Sequence, residues 1–415
     1  MFPISRMPRS LKVFVLGIVL PMLMIIGSFL FVHLPSARAS EALSPKAPTT
    51  SASPTASATS SPIATPSLTP TPIIIPRDAV AMGPYTVKGN TIVGKDGKRY
   101  FFHGIGRDGL EYTCWGDGHF YPNELAYMGS GTNTTHATYW NANTVRLPLS
   151  EGIWLNGQPM QQCPAIQYHQ LVKRTVDALT AMKLNVIIDL QWSDAGRQSK
   201  LGGGQWAMPD ADSITFWQQV AGIYKSYPNV LFELFNEPHP AQWSCWMSGC
   251  KVTNDQTTSN DCQCTKTLSY QSVGMQALVD TVRKTGAQNL ALVGGMNWGF
   301  DLSQLSKYAL KGSNIVYDTH PYPYTDKLPQ TWDAAFGNVS QHYPVISAES
   351  GEYDCGTNYM NQLLSYFDAH QISWVAWSWV LQGNTCGYPQ LIQDYTGTPA
   401  MAMGQLIYQR LHSYQ

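Results

Sequence analysis

Eight short runs rich in β-branched, aliphatic and aromatic residues recur along the chain, at 99–105, 143–149, 185–191, 230–236, 289–295, 314–320, 343–349 and 373–379. Between them lie longer stretches with helical periodicity, at 166–183, 211–227, 268–285 and 357–370. Runs such as "NVIIDLQ" and "VLFELFN" are near-continuously apolar, whereas a strand with one solvated face would alternate. Strands buried on both faces lie parallel under a layer of helices, and eight of them predict an α/β fold, the closed (β/α)8 TIM barrel. A barrel of this type occupies about 250 residues, so the 415-residue chain has room for one barrel and its appendages.

The appendages read from composition. Arg6, Arg9 and Lys12 precede an apolar run from Val13 to Val32, followed by "PSARAS", in which Ala37 and Ala39 form a small-residue cleavage pattern. The run exceeds a typical signal-peptide core and approaches the length of a membrane span, so residues 1–39 are expected to be a signal peptide or a membrane anchor, either of which exports the remainder. Residues 40–77 are Ser, Thr, Pro and Ala with almost no charge, a composition that cannot offset chain entropy by burial and acts as a tether. Residues 78–415 are the expected barrel, with a cysteine-rich loop insertion near 241–266. Cysteines in an exported chain favour disulfides. Cys114 with Cys163 and Cys355 with Cys386 are candidate pairs, and Cys245, Cys250, Cys262 and Cys264 staple the insertion; a four-thiolate zinc site there lacks paired C-x-x-C spacing.

A formal net charge of −1 leaves no electrostatic footprint for nucleic acid. Charged residues are 13% of the chain, about half the usual share, whereas aromatics reach 12%, with 13 Trp and 22 Tyr. That bias suits a neutral polar ligand with flat apolar faces, such as a sugar.

In a (β/α)8 barrel the active site sits at the C-terminal ends of the strands. The polar residues there are Arg146 on the second strand, Gln191 on the third, Asn236 and Glu237 on the fourth, His320 on the sixth, Glu349 on the seventh, and the tryptophans of the eighth. Glu237 closes "LFELFNE" as Glu349 closes "VISAE". Two carboxylates at one barrel mouth are what hydrolysis of a glycosidic bond needs: one protonates the leaving oxygen, the other attacks the anomeric carbon or activates water.

The region from about Tyr85 to the C-terminus resembles glycoside hydrolase family 5, the cellulase family. "ELFNEPH" is similar to its strand-four motif, "VISAESG" to its strand-seven motif, "NTVRLPLS" carries the family arginine, "DTHPYP" its His and Tyr pair, and "VAWSW" its strand-eight tryptophan. The resemblance implies Glu237 as acid/base and Glu349 as nucleophile, with Asn236 beside the sugar 2-hydroxyl. It implies Arg146, His320, Tyr322 and Trp377 as substrate-binding residues, with Trp379 as the alternative register for the tryptophan. At the end of strand three, where the family usually has histidine, this chain has Gln191, which forms hydrogen bonds but cannot titrate.

Glu237 would need a raised pKa from burial and a nearby negative charge, and Glu349 would stay ionised beside Arg146 and Tyr322. Trp192, Trp206, Trp243, Trp298 and Trp377 follow the strands and are candidates for stacking on pyranose rings, with Trp192 and Trp298 taken as substrate-binding alongside Gln191. His320 is expected to contact sugar rather than metal, since no ligand-spaced cluster accompanies it in sequence. His103, Glu111 and Glu352 are near strand ends without an assigned role.

The expectation is a retaining glycoside hydrolase acting on a β-linked polysaccharide as an endo-β-1,4-glucanase. A β-mannanase or a catalytically inactive surface carbohydrate-binding protein are the alternatives. No metal or organic cofactor and no nucleic acid are implied. The chain is expected to be monomeric, and secreted or tethered through residues 13–32 to the outer face of a membrane.

Overall fold

The computed structural model describes residues 83–195, 203–259, 264–354, 356–381 and 387–414. The expected signal or anchor segment and the tether lie outside the described residues. Among the described residues, no helix is long and apolar enough to cross a membrane.

Eight parallel strands form a closed barrel: β1 (His103–Gly106), β2 (Thr144–Ser150), β3 (Asn185–Trp192), β4 (Val230–Glu233), β5 (Ala291–Gly294), β6 (Ile315–Asp318), β7 (Val345–Ser350) and β8 (Ser373–Ala376). Each pairs with its successor, and β8 closes on β1 through Trp374 opposite His103. All eight strands coincide with the runs expected from sequence, β1, β2, β3 and β7 each reaching one residue past the end of its run. The fourth is shorter than expected: its ladder stops at Glu233, so Asn236 and Glu237 sit on the loop that continues from it.

Period-two alternation sorts each strand's side chains. Val186 and Ile188 on β3, with Val230 and Phe232 on β4, face outward into the layer shared with the helices. Ile187, Leu231, Leu292, Val316, Ile346 and Val375 form an inner apolar cluster. An antiparallel hairpin, Thr86–Lys88 with Thr91–Val93, contributes Ile92 to that cluster. Two residues further along their strands, the positions in phase with Ile187, Leu231 and Val316 are Asp189, Glu233 and Asp318, all fully buried. The barrel interior thus changes from apolar to charged over one pleat.

Helices Ala165–Ala181, Ala211–Tyr224 and Asn358–His370 match their expected spans closely. Asp210 caps the second, accepting from the Asp212 and Ser213 N–H groups while Ser213 Oγ answers to the Asp210 N–H. Glu352 accepts from the Tyr359 and Met360 N–H groups at the start of the third, which gives this carboxylate a structural role.

The expected helix over 268–285 is a correction. Cys264–Gln271 is a strand paired antiparallel with Lys251–Ser259, and the helix begins at Met275. In "LSYQS" the alternating pattern prevails because Tyr270 turns inward, edge-on to Trp206, with its hydroxyl donating to the Met208 carbonyl at 2.8 Å. The insertion is therefore a hairpin. Cys245 and Cys250 are disulfide-bonded at its base, which removes two of the four thiols a zinc site would need, and Cys114 is bonded to Cys163 as expected. Cys262, Cys355 and Cys386 lie outside the described residues.

His103 begins β1 rather than ending it, and stacks on Tyr414 at 3.9 Å far from the strand C-termini. Leu231→Ala would open a cavity in the inner cluster, and a loss of about 2–5 kcal/mol of stability is expected by chemical denaturation.

Candidate active site

Arg146 on β2 organises the charged layer. A guanidinium has five N–H donors in a fixed plane, and each has an acceptor here. Nε and Nη2 donate to the two oxygens of Glu233, both at 2.6 Å. Nη2 also donates to Asn236 Oδ1 at 2.7 Å. Nη1 donates to Glu349 Oε2 at 2.7 Å and to Gln191 Oε1 at 3.1 Å. Burial alone would lower the Arg146 pKa, but the surrounding carboxylates, Glu233 and Glu349 among them, outweigh it and keep the cation secure. For Glu233, burial pushes the carboxyl up, and the Arg146 charge and hydrogen bonds reverse this to about 2.

Asp189 Oδ2 lies 3.0 Å from Arg146 Nη2 but receives no N–H from it, since both are directed elsewhere. Burial consequently dominates, and Asp189 is held well above the usual carboxylate range.

His320, just past β6, is a second centre. Its Nδ1 is 3.3 Å from Glu237 Oε1, and its Nε2 is 3.1 Å from Asp318 Oδ2 and 3.4 Å from Glu233 Oε1. Burial would push the imidazole down, but Asp318, Glu233 and Glu237 together raise it well above its ordinary value, so it is an imidazolium donating at both nitrogens.

A carboxylate oxygen of Glu237, a ring nitrogen of His320 and a carboxylate oxygen of Glu349 all lie within 4.8 Å of one another. Tyr322 donates to Glu349 Oε1 at 2.7 Å, so both Glu349 oxygens are held, one by Tyr322 and one by Arg146. The ligand-spaced clusters absent from the sequence do exist in space: Glu233, Asp318 and His320, and Glu237, His320 and Glu349. They do not suit a cation, because both imidazole nitrogens face carboxylates and Arg146 already supplies positive charge to Glu233 and Glu349.

The protonation balance corrects another expectation. Burial raises Glu237, but the hydrogen bond and charge of His320, then Lys327 and His239, bring it below its ordinary value. Burial raises Glu349, and Arg146, His320 and Tyr322 offset this incompletely. Glu237 is thus held below its ordinary value and Glu349 above its own.

The cavity above this layer has a volume of about 710 Å³ and is lined by Glu237, Glu349, Gln191, Trp192, Trp298, Tyr322 and Trp377, among others. Trp377 is the strand-eight residue on the wall; its Nε1 donates to Tyr388 at 2.8 Å, whereas Trp379 packs edge-on to Trp140 in the outer layer. Trp192 meets Tyr112 edge-on at 5.1 Å.

Trp298 follows β5 in a turn where Asn297, Trp298 and Gly299 all have positive φ, 54°, 59° and 72°. Left-handed backbone at two non-glycine residues costs energy and clusters at functional positions. The turn stacks one face of the Trp298 indole on His239 at 3.6 Å while the residue stays 38% exposed. Trp206 and Trp243, the other two stacking candidates, are core residues: the first packs with Ala195 and Tyr270, the second with Trp246 and Tyr308.

Sequence reasoning did not single out Asp189, Glu233 and Asp318, nor Gln205, Lys327 and Tyr353 on the cavity wall. For the three acids a signal existed, a lone charge inside an apolar run. Glu111 is buried and its Oε2 accepts from the Gly109 N–H at 2.7 Å, which makes it a loop brace.

Comparison with known proteins decides the family. The model for cellulase, glycosyl hydrolase family 5, matches residues 116–383. The chain belongs to glycoside hydrolase family 5. This family 5 enzyme is 24% identical over 376 residues to an endoglucanase of Paenibacillus polymyxa, covering 78% of this chain and 86% of the relative. It is likewise 24% identical over 307 residues to endoglucanase 5 of Pectobacterium carotovorum, covering 71% of this chain but half the length of that relative. Among solved structures, the native β-glucanase of Saccharophagus degradans superimposes with a TM-score of 0.60 at 19% identity, covering 83% of this chain and 97% of that one. The catalytic domain of a Thermobifida fusca endoglucanase gives 0.56 at 18%, covering 80% and 98%. At these identities the structural likeness speaks to the fold.

Arg146→Lys would keep the charge but lose the planar fork, leaving Glu233 and Asn236 without their paired donors. A stability loss of about 3–5 kcal/mol is expected by thermal or chemical unfolding. Asp318→Asn removes the first charge holding His320 protonated. In wild type the imidazole ¹⁵N signals should remain those of the charged form from about pH 6 to about pH 8, and in the variant a titration should enter that window.

Proposed function

We propose that this family 5 enzyme is a retaining endo-β-1,4-glucanase in which Glu349 is the nucleophile and Glu237 the acid/base. The observation that carries the assignment is the carboxylate spacing within 4.8 Å. With one oxygen of each carboxyl this near the other, the pair is in keeping with the roughly 5–5.5 Å between carboxyl groups of retaining enzymes rather than the about 6.5–9.5 Å of inverting ones.

Glu349 suits attack because Arg146 and Tyr322 fix both its oxygens and favour its ionised form. As its oxygen bonds to the anomeric carbon, the glycosidic C–O bond breaks and the leaving oxygen takes a proton from Glu237. Glu237 must first hold that proton, and its neighbour His320 is a protonated imidazole at 3.3 Å. That contact favours the carboxylate form, so the proton Glu237 delivers is the one it removes from water at the end of the preceding turnover. In the second step Glu237 removes a proton from water, which displaces Glu349 from the sugar.

Asn236 Nδ2 is buried and has no partner among the described residues, a cost of about 1–3 kcal/mol that a sugar 2-hydroxyl would relieve. With Gln191 Oε1 occupied by Arg146, its NH₂ group is what it offers to the cavity, so Gln191 acts as a donor. Trp298 and Trp377 offer the flat faces. The choice of β-1,4-glucan rests on relatives named endoglucanases and on the S. degradans β-glucanase, whose structure with cellotetraose is known. Export, with secretion or tethering through residues 13–32, is supported by the Cys114–Cys163 and Cys245–Cys250 disulfides. A monomer acting on polysaccharide is sufficient for the reaction, since every residue named comes from one chain.

Reducing-sugar release from soluble β-1,4-glucan, glucomannan, mannan and xylan tests the reading. Wild type should cut the β-1,4-glucan best, and Glu237→Gln and Glu349→Gln should each lose about 10²–10⁴-fold or more while keeping wild-type melting temperatures. Near wild-type hydrolysis by either variant would reject the assignment, and a preference for mannan would reassign the substrate.

A further inference from the structure

Residues 203–210 follow β3 and run across the cavity wall as an almost wholly buried segment without helix or strand. Gln205 within it donates its amide N–H to Glu237 Oε2 at 3.3 Å. His320 faces the other oxygen, Oε1. The two contacts differ in kind: His320 brings a charge and a transferable proton, whereas the Gln205 amide is neutral at every working pH and can either donate or accept.

The segment is anchored independently on three sides. At its start, Ser193 and Gly204 exchange backbone hydrogen bonds at 3.0 and 3.2 Å. Gly203, at φ 79°, lies so close to Ser193 that a Cβ would meet the Ser193 carbonyl oxygen at 2.0 Å. Towards the catalytic loop, the His239 N–H donates to the Ala207 carbonyl at 3.0 Å, so Gln205 and Ala207 lie alongside Glu237 and His239. The third side is the hairpin insertion. Asp255 Oδ2 accepts from the Ala207 N–H at 2.7 Å. The Tyr270 hydroxyl donates to the Met208 carbonyl at 2.8 Å and accepts from its N–H at 3.0 Å, and the Val273 N–H donates to the Pro209 carbonyl at 3.0 Å. The hairpin base is closed by the Cys245–Cys250 disulfide and by Ser272, whose N–H and Oγ both donate to the Cys250 carbonyl at 2.8 Å.

Resting on the assignment of Glu237 as acid/base, we propose that Gln205 is a positioning residue for that carboxyl, and that the cysteine-stapled hairpin is the element that holds Gln205 in place. When Glu237 is ionised, the amide donates to Oε2. When Glu237 is protonated, a half-turn of the amide presents its carbonyl to the acid, so one side chain keeps Glu237 oriented through both halves of the reaction. The other groups facing Glu237 are His320, Lys327, His239, Glu349, Tyr322 and Tyr353. Gln205 is the neutral amide among them, and its loss removes a donor to the ionised form without changing the charge of the site.

The test is the pH dependence of kcat on a soluble cello-oligosaccharide, measured with the full chain. The alkaline limb reports the acid that must be protonated. Losing a donor to the carboxylate favours the neutral acid, so Gln205→Ala should move that limb up by about half to one pH unit. Gln205→Glu, which adds a negative charge, should move it further. Asp255→Ala combined with Tyr270→Phe should give a shift of the same sign, and adding Gln205→Ala to that pair should contribute little more. Melting temperatures establish that each variant is folded. If both Gln205 variants keep the wild-type limb while Glu237→Gln is inactive, the positioning role is overturned and the acid/base assignment stands. If the hairpin pair lowers the melting temperature and leaves the limb in place, the hairpin's part is overturned. Activity in Glu237→Gln would instead overturn the assignment beneath both.

Discussion

The Arg146 guanidinium is the interaction on which the rest of the site depends. Its five donors reach acceptors on three other strands or their loops: Gln191 from β3, Glu233 and Asn236 from β4, and Glu349 from β7. A buried cation costs several kcal/mol in lost solvation, and it is tolerated where every N–H is satisfied and the surrounding carboxylates need it. Those carboxylates could not remain ionised without it. Asp189 shows this within the same layer, because it has the proximity of Arg146 but no N–H, and burial drives it towards its neutral form. The fork also sets distances as well as charge. Lysine has no rigid plane with which to hold Glu233 at two points and Glu349 at a third.

Glu233 joins this centre to the second one. It accepts both parallel N–H bonds of Arg146 and lies 3.4 Å from His320 Nε2. Arg146 in turn holds Glu349, and His320 faces Glu237. The two proposed reacting carboxylates are thus tied to different cations that share one anion. Protonating Glu237 removes its attraction to His320, and leaves the imidazolium to Asp318 and Glu233. The coupling is electrostatic and local, and it explains why three acids that touch no solvent occupy the layer beneath the cavity.

Much of this architecture was legible in the sequence because barrel geometry converts strand ends into a site. Eight apolar runs set the strand count, and the polar residues at or just past the run ends marked Gln191, Glu237, His320 and Glu349, which the structure gathers around one cavity or the layer below it; Arg146, placed with them, instead lies inside β2 and reaches that layer from within the ladder. The rule worked from the ends of the sequence runs, so it passed over Asp189 inside β3, and over Glu233 and Asp318, which end the shorter ladders of β4 and β6 but read in sequence as interruptions of an apolar run. It could not separate Trp192, Trp298 and Trp377 from Trp206 and Trp243 either, since position after a strand does not say whether an indole turns to the cavity or to the core. Residues 268–271 were misread because a short polar stretch can satisfy both periods, and the deciding contact of Tyr270 with the Met208 backbone is 62 residues distant.

What remained illegible has a common physical origin. Strand residues inherit their position from a repeating backbone, so their roles follow from counting. Gln205 has no such frame. Its place beside Glu237 is produced by a glycine that permits close approach to Ser193, by a backbone bond to His239, and by a hairpin whose own placement needs the Cys250–Ser272 contacts at its base. Each anchor is weak alone, about 1 kcal/mol for a typical hydrogen bond, and their agreement is what holds an irregular segment still. The barrel therefore fixes the charged layer rigidly, while the neutral partner of Glu237 comes from a loop that an insertion braces. Since substrate preference in such barrels is set by loops, the hairpin lies where a change in sequence would retune the proposed acid/base, Glu237, without disturbing the Arg146 network.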